Sequence, residues 1–146
     1  MKPDSIRKFD WLYWASVIVG LLGLLLSWDM LTEMTAAELA SSGVSADAGD
    51  FAMATILGGA AFGLALNAAL WFLISVLRIE VVKWVLVAML AWTLFTFPAG
   101  IEMAGGFSLM QVPGVIGTAL LAAAIFFLFR PDAKAWFAEK RGRGGD

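Results

Sequence analysis

Few side chains in this sequence are of types that carry out chemistry. The chain has no cysteine and no histidine, which removes the thiolate and imidazole ligands of zinc, iron–sulfur and haem sites and the nucleophiles and bases built on them. We therefore predict no catalytic residue, no metal site and no cofactor. The polar side chains that do fall deep inside apolar runs are one amide and three hydroxyls, namely Asn67, Thr93, Thr96 and Thr118.

Asn67, Thr93 and Thr118 come at similar distances from the basic ends of their apolar runs, if each helical residue rises about 1.5 Å, and Thr96 lies slightly farther along. We expect them to form a polar layer near the middle of the molecule. One interpretation is that the layer joins helices, with each contact contributing about 0.6 kcal/mol and seldom more than about 2 kcal/mol. The other is a small pocket for a ligand such as a quinone or a lipid headgroup.

A second group of polar residues is acidic and lies between the apolar runs. Carboxylates of this kind are able to hold a divalent cation or to dock a basic partner, but their spacing lacks the density of a calcium loop. The pattern favours a solvated acidic surface. Its residues are Asp29, Glu33, Asp47, Asp50 and Glu102.

The elements that carry these residues are four long apolar runs. Hydrophobic residues make up 61% of the 146 residues, whereas soluble domains average about 45–50%, and the mean hydropathy is +0.85. A helix needs about 20 apolar residues to cross a bilayer. We predict an all-α integral membrane protein, a single four-helix bundle whose spans are about 11–28, 51–77, 84–101 and 108–129.

Small residues recur along these spans at the spacing of one helix face. Such faces let another helix approach closely, either within one bundle or between subunits, and the spacing leaves that choice open. The predicted packing residues are Gly20, Gly23, Gly59, Gly63, Gly114, Thr118 and Ala122.

The connecting segments are an outer loop over 29–50, a tight turn over 78–83 and a tail over 130–146. Thr35 and Glu38 match a capping box, which predicts a short helix over about 36–42. Pro98 and Gly100 predict the end of the third span. In the tail we predict a short interfacial helix that begins near Pro131 and turns Trp136 and Phe137 towards lipid.

Charge is distributed unevenly among these segments. All ten Lys and Arg residues fall in the N-terminus, the 78–83 turn and the tail, and the other two connections have none. The positive-inside rule then predicts an up-down-up-down arrangement in a bacterial inner membrane with both termini in the cytoplasm. This asymmetry argues against small exporters that insert in both orientations, because those proteins need nearly equal positive charge in the loops on the two sides of the membrane.

The ending that runs from Phe129-Arg130-Pro131 to Trp136-Phe137 resembles the endings of small bacterial four-span membrane proteins of unassigned function.

We predict a non-enzymatic accessory or scaffolding subunit that acts through helix packing with itself or with a protein partner. The alternative is a small homo-oligomeric channel or facilitator for a neutral or amphipathic solute, lined by Asn67 and the threonines. Membrane lipids are the other expected partners, and no nucleic acid is expected.

Overall fold

The computed structural model describes residues 2–43, 48–103, 105–107 and 109–143. Within these ranges the chain forms six α-helices and one 3₁₀ turn at Leu109–Gln111, and no strand is present. The all-α prediction is confirmed for this part of the chain. The helices are α1 Asp4–Leu26, α2 Trp28–Ser41, α3 Ala48–Ser75, α4 Val82–Met103, α5 Val112–Leu128 and α6 Pro131–Arg143.

Three of these helices, α1, α3 and α4, are long and apolar enough to cross a membrane. A fourth reaches that length only if α5 and the first part of α6 are counted together, although the two are bent by 62°. At about 1.5 Å per residue, the 17 residues of α5 alone span about 26 Å. Three to four helices thus have the length and composition that the sequence predicts.

The long helices run antiparallel to their neighbours. Near the start of α1, the Lys8 ammonium lies 5.5 Å from the ring centre of Phe127 at the end of α5, and near its end an added Cβ at Gly23 would lie 3.0 Å from Pro113 at the start of α5. The start of α1 also contacts the end of α3, where Asp10 and Tyr13 bond to Ser75 and Asn67, and the start of α4 contacts the end of α5 through Trp84 and Phe129. The four helices α1, α3, α4 and α5 therefore alternate in direction.

The buried core lies at the end of the bundle where α1 begins and α5 ends. The short α6 helix covers this end, because the Arg130-Pro131 step bends the chain back towards α1. Trp136 and Phe137, predicted to face lipid, are only 4% and 2% exposed. That prediction was wrong. The core comprises Ile6, Phe9, Tyr13, Leu70, Ile74, Val82, Leu86, Ala124, Ile125, Leu128, Ala133, Trp136 and Phe137.

Several boundaries differ from the sequence-based prediction. The segment expected to be mostly loop contains the 14-residue α2, which begins directly after Ser27 and has no side-chain cap. The capping-box prediction at Thr35 was wrong, because the chain is already helical there. Pro98 lies inside α4 and does not end it. A proline removes one backbone hydrogen bond, a loss that membrane helices tolerate.

Two boundaries bear directly on polar residues. The first helix begins at Asp4, seven residues before the predicted span, so Asp10 lies within it. The predicted fourth span begins at Ser108, which lies outside the described residues. Pro113 falls in the first turn of α5, where the missing N–H of a proline costs no helical hydrogen bond.

Candidate functional site

A row of polar side chains joins α1 to α3; we call it the polar seam. Asn67, Trp71 and Ser75 are four residues apart on α3, so they share one face, and α1 opposes them. The Tyr13 hydroxyl lies 2.8 Å from Asn67 Oδ1 and 3.0 Å from the backbone oxygen of Asn67, and its single O–H is shared between these two acceptors. The Asn67 amide in turn donates to the carbonyl of Gly63 at 2.8 Å.

The other half of the polar seam converges on Asp10. Its Oδ1 atom accepts hydrogen bonds from Trp71 Nε1 at 2.9 Å and from Ser75 Oγ at 2.6 Å. Its Oδ2 atom pairs with the Lys2 ammonium at 3.1 Å. The sequence analysis did not identify Asp10 as a site residue, because it precedes the apolar run. The four-residue spacing of Asn67, Trp71 and Ser75 is the sequence signal from which a polar face on α3 could have been predicted.

Beyond the Asn67 end of the seam, α1, α3 and α5 enclose a groove that is open on one side. Its volume is about 320 Å³. Two predicted polar residues, Asn67 and Thr118, line it, so the structure brings these two to one place. Three predicted packing glycines line it as well: Gly20, Gly63 and Gly114.

The glycines differ in what surrounds them. An added Cβ at Gly20, Gly59, Gly63 or Gly114 would meet nothing within 4 Å. Close packing between helices occurs at Gly23, and at Gly117, where a Cβ would lie 3.5 Å from the carbonyl oxygen of Ser16. The sequence analysis did not single out Gly117. Ala122 and Thr118 line a separate apolar cavity of about 250 Å³ between α4 and α5.

The four predicted members of the polar layer do not form one hydrogen-bonded set. Thr93 and Thr96 are exposed on α4 and donate to the carbonyls of Met89 and Trp92 in their own helix. Thr118 donates likewise to the carbonyl of Gly114 at 2.8 Å. A threonine hydroxyl that bonds four residues back within its helix needs no partner across the bundle, so the expected layer is reduced to the Asn67 and Tyr13 pair.

The predicted acidic surface lies at the opposite end from the core. Asp29, Glu33, Asp50 and Glu102 are all exposed, and Asp47 lies outside the described residues. No group of three or more Asp, Glu, His or Cys side chains in the described ranges is close enough to hold a metal ion.

The arrangement of groove and seam can be compared with known proteins. No protein-family model, curated protein or solved structure matches this chain. The function of the groove and the polar seam is therefore inferred from the side chains that form them. The groove offers the Asn67 amide, the hydroxyls of Ser16 and Thr118 and the exposed backbone of its glycines, which can bind a ligand by hydrogen bonding and close packing.

The basic end of the molecule is built from the three basic segments. The Arg78 guanidinium lies 4.3 Å from the ring centre of Trp136, with Arg78 in a left-handed backbone conformation at φ 55°, and the Lys140 ammonium donates to the carbonyl of Leu77. The Ser5 hydroxyl donates to Asp132 Oδ1 at 2.7 Å. This hydrogen bond lowers the pKa of the Asp132 carboxyl. These contacts fix α6 against the helix bundle.

Proposed function

We propose that this chain is a multi-pass protein of the bacterial inner membrane. In this proposal α1, α3, α4 and α5 cross the bilayer up-down-up-down, and both termini and α6 lie on the cytoplasmic side. Support comes from the gathering of the N-terminus, the 78–83 turn and α6 at one end and of the exposed acids at the other. Basic residues near membrane helices are enriched on the cytoplasmic side.

We further propose that the protein is a non-enzymatic accessory or scaffolding subunit whose groove receives a transmembrane helix of a partner protein. The observation that carries this proposal is the empty space beside Gly20, Gly59, Gly63 and Gly114. Glycine weakens a helix relative to alanine, and a methyl group would fit at each position. No contact within the described chain accounts for the glycines.

A partner helix accounts for them better than lipid does. Helices associate in membranes where small residues let two backbones come close, and three of these glycines line one groove formed by three helices. Acyl chains adapt to many surface shapes, so lipid alone gives no reason for glycine at several such positions. The groove therefore favours a helix with its own apolar ridge.

The test is a bulky substitution inside the groove with a matched control on the same helix. Gly63→Leu would fill the groove, whereas Gly58→Leu adds the same side chain at an exposed glycine outside its lining. We expect a chain that co-purifies in mild detergent to be lost from Gly63→Leu and retained by Gly58→Leu, with both variants folded. A strictly monomeric wild-type protein with no co-purifying chain would contradict the proposal.

The channel or facilitator remains the alternative proposal, with Asn67 on the solute route. The packed core adjoining the groove at the basic end favours the scaffold, since aromatic side chains fill the space between the helices there. Asn67→Leu distinguishes the two. It should abolish solute flux into proteoliposomes if the protein is a channel, and otherwise lower stability by about 0.6 kcal/mol, and by less than about 2 kcal/mol.

A further inference from the structure

The Lys2 and Asp10 ion pair has unused hydrogen-bonding capacity on both partners. Lys2 Nζ donates to Asp10 Oδ2 at 3.1 Å and to Ser75 Oγ at 2.6 Å, and an ammonium has three N–H groups. Asp10 accepts from Lys2, Trp71 and Ser75, and a carboxylate has about four acceptor positions. In the described part of the chain, one donor and one acceptor are left at neighbouring atoms of opposite charge.

A small cavity opens on the Asp10 side of this pair. Its volume is about 230 Å³, and it is lined by Asp10, Trp11 and Trp14. The Trp11 side chain is 78% exposed. Indole rings attract ammonium groups through their faces, so the cavity combines a carboxylate with aromatic walls. An ammonium of the chain itself already lies near such a ring, because Lys2 Nζ is 5.8 Å from the ring centre of Trp71.

We infer that this cavity binds the headgroup of a zwitterionic phospholipid with a primary ammonium, phosphatidylethanolamine. The lipid ammonium donates to Asp10 between the two indoles, and the lipid phosphate accepts from Lys2. A primary ammonium is required because a quaternary ammonium has no N–H to donate. An anionic headgroup without an amine would meet the Asp10 carboxylate unfavourably.

The lipid, and not a free amine, is the ligand because of the position of the site. Asp10 comes directly before the apolar run of α1, and Trp11 and Trp14 are of the type that gathers at membrane–water interfaces. The inference needs α1 to cross the membrane. It does not need the partner helix of the groove, so it is tested on the purified chain alone.

The test is native mass spectrometry of the full chain, released from detergent that contains equal amounts of phosphatidylethanolamine, phosphatidylcholine and phosphatidylglycerol with identical acyl chains. We expect phosphatidylethanolamine to be retained about tenfold over phosphatidylcholine, the size of one hydrogen bond to a charged group. Trp11→Ala and Asp10→Asn should each remove most of that excess. Trp92→Ala, which removes an indole that is 69% exposed on α4, should not.

Trp11→Ala keeps the test decisive even if Asp10→Asn weakens the contact between α1 and α3, because the exposed Trp11 ring takes no part in the polar seam. Equal retention of the ethanolamine and choline lipids by the wild-type chain would overturn the inference. So would equal losses in Trp11→Ala and Trp92→Ala. Displacement of the lipid by an excess of free ethanolamine would overturn the assignment to a lipid.

Discussion

At the scale of single residues, the basic end holds two ion pairs whose partners are each three residues apart in the sequence but whose exposure to solvent is very different. Lys83 Nζ lies 2.6 Å from Glu80 Oε1, and the two side chains are 5% and 28% exposed. Arg7 and Asp4 are 3.9 Å apart, and their side chains are 69% and 87% exposed. Water screens the second pair almost fully, whereas the first holds a cation inside the core.

Carboxylate-to-amide changes should separate these two pairs. We expect Glu80→Gln to lower the free energy of unfolding by about 2 kcal/mol, because it leaves the buried Lys83 ammonium with a weaker acceptor. Asp4→Asn should change it by less than about 0.5 kcal/mol. Denaturant titration of both variants in the same detergent measures the difference. Equal losses in the two variants would contradict the assigned burial of Lys83.

The sequence predicted residue types better than residue partners. Asn67 was identified from its position in an apolar run, but its partner Tyr13 was not, because an aromatic residue near the end of an apolar run is also typical of a membrane interface. The role of Trp71 follows only from the structure, in which its indole N–H donates to Asp10 on α1. Pairings of this kind depend on which helices become neighbours and on their rotation about their axes, and neither is encoded in the spacing along one helix.

At the scale of elements, α6 is attached to the bundle by contacts from three segments. The Ser5 hydroxyl donates to Asp132, Arg78 covers the ring of Trp136, and Lys140 donates to the carbonyl of Leu77, just after the end of α3. The sequence correctly predicted a helix after Pro131, since proline favours a first turn. The sequence wrongly predicted that the aromatic face of that helix contacts lipid, whereas the face packs against the end of the bundle. An apolar helix face is equally suited to either surrounding.

The attachment of α6 should depend on pH in a defined direction. The pKa of Asp132 is lowered in the folded protein by the Ser5 hydroxyl. A lowered carboxyl pKa contributes stability that is complete above the ordinary value of 3.8 and is lost as the pH falls through the lowered value. A spin label at Ala138→Cys should therefore gain mobility only at acid pH.

Ser5→Ala supplies the matched comparison, because it removes the hydroxyl that lowers the pKa of Asp132. In this variant the mobility of the same label should rise at a higher pH, nearer to 3.8. A label at Ser41→Cys on α2, far from Asp132 in sequence and on an exposed surface, should show no such transition. Identical profiles for the wild-type and Ser5→Ala chains would rule out the hydrogen bond as the cause.

At the scale of the whole molecule, the bundle is tightly packed at its basic end and open towards its acidic end. Aromatic and branched side chains from α1, α3, α4, α5 and α6 form the core, whereas glycines leave the groove beyond it unfilled. Apolar run lengths predicted the order of the long helices, of which three to four are long and apolar enough to cross a membrane. They did not predict the groove, because the separation of neighbouring helices depends on how side chains from several segments pack together.

The proposed sites for a partner helix and for a lipid both require that the long helices cross the bilayer, and the proposed topology places the basic end of the bundle in the cytoplasm. The chain has no native cysteine, so single cysteines report sidedness without background. Ser41→Cys on α2 and Ala138→Cys on α6 are both at exposed positions. In intact cells, an impermeant maleimide should label Ser41→Cys and should label Ala138→Cys only after the inner membrane is permeabilised. Labelling of Ala138→Cys in intact cells, with Ser41→Cys protected, would contradict the account.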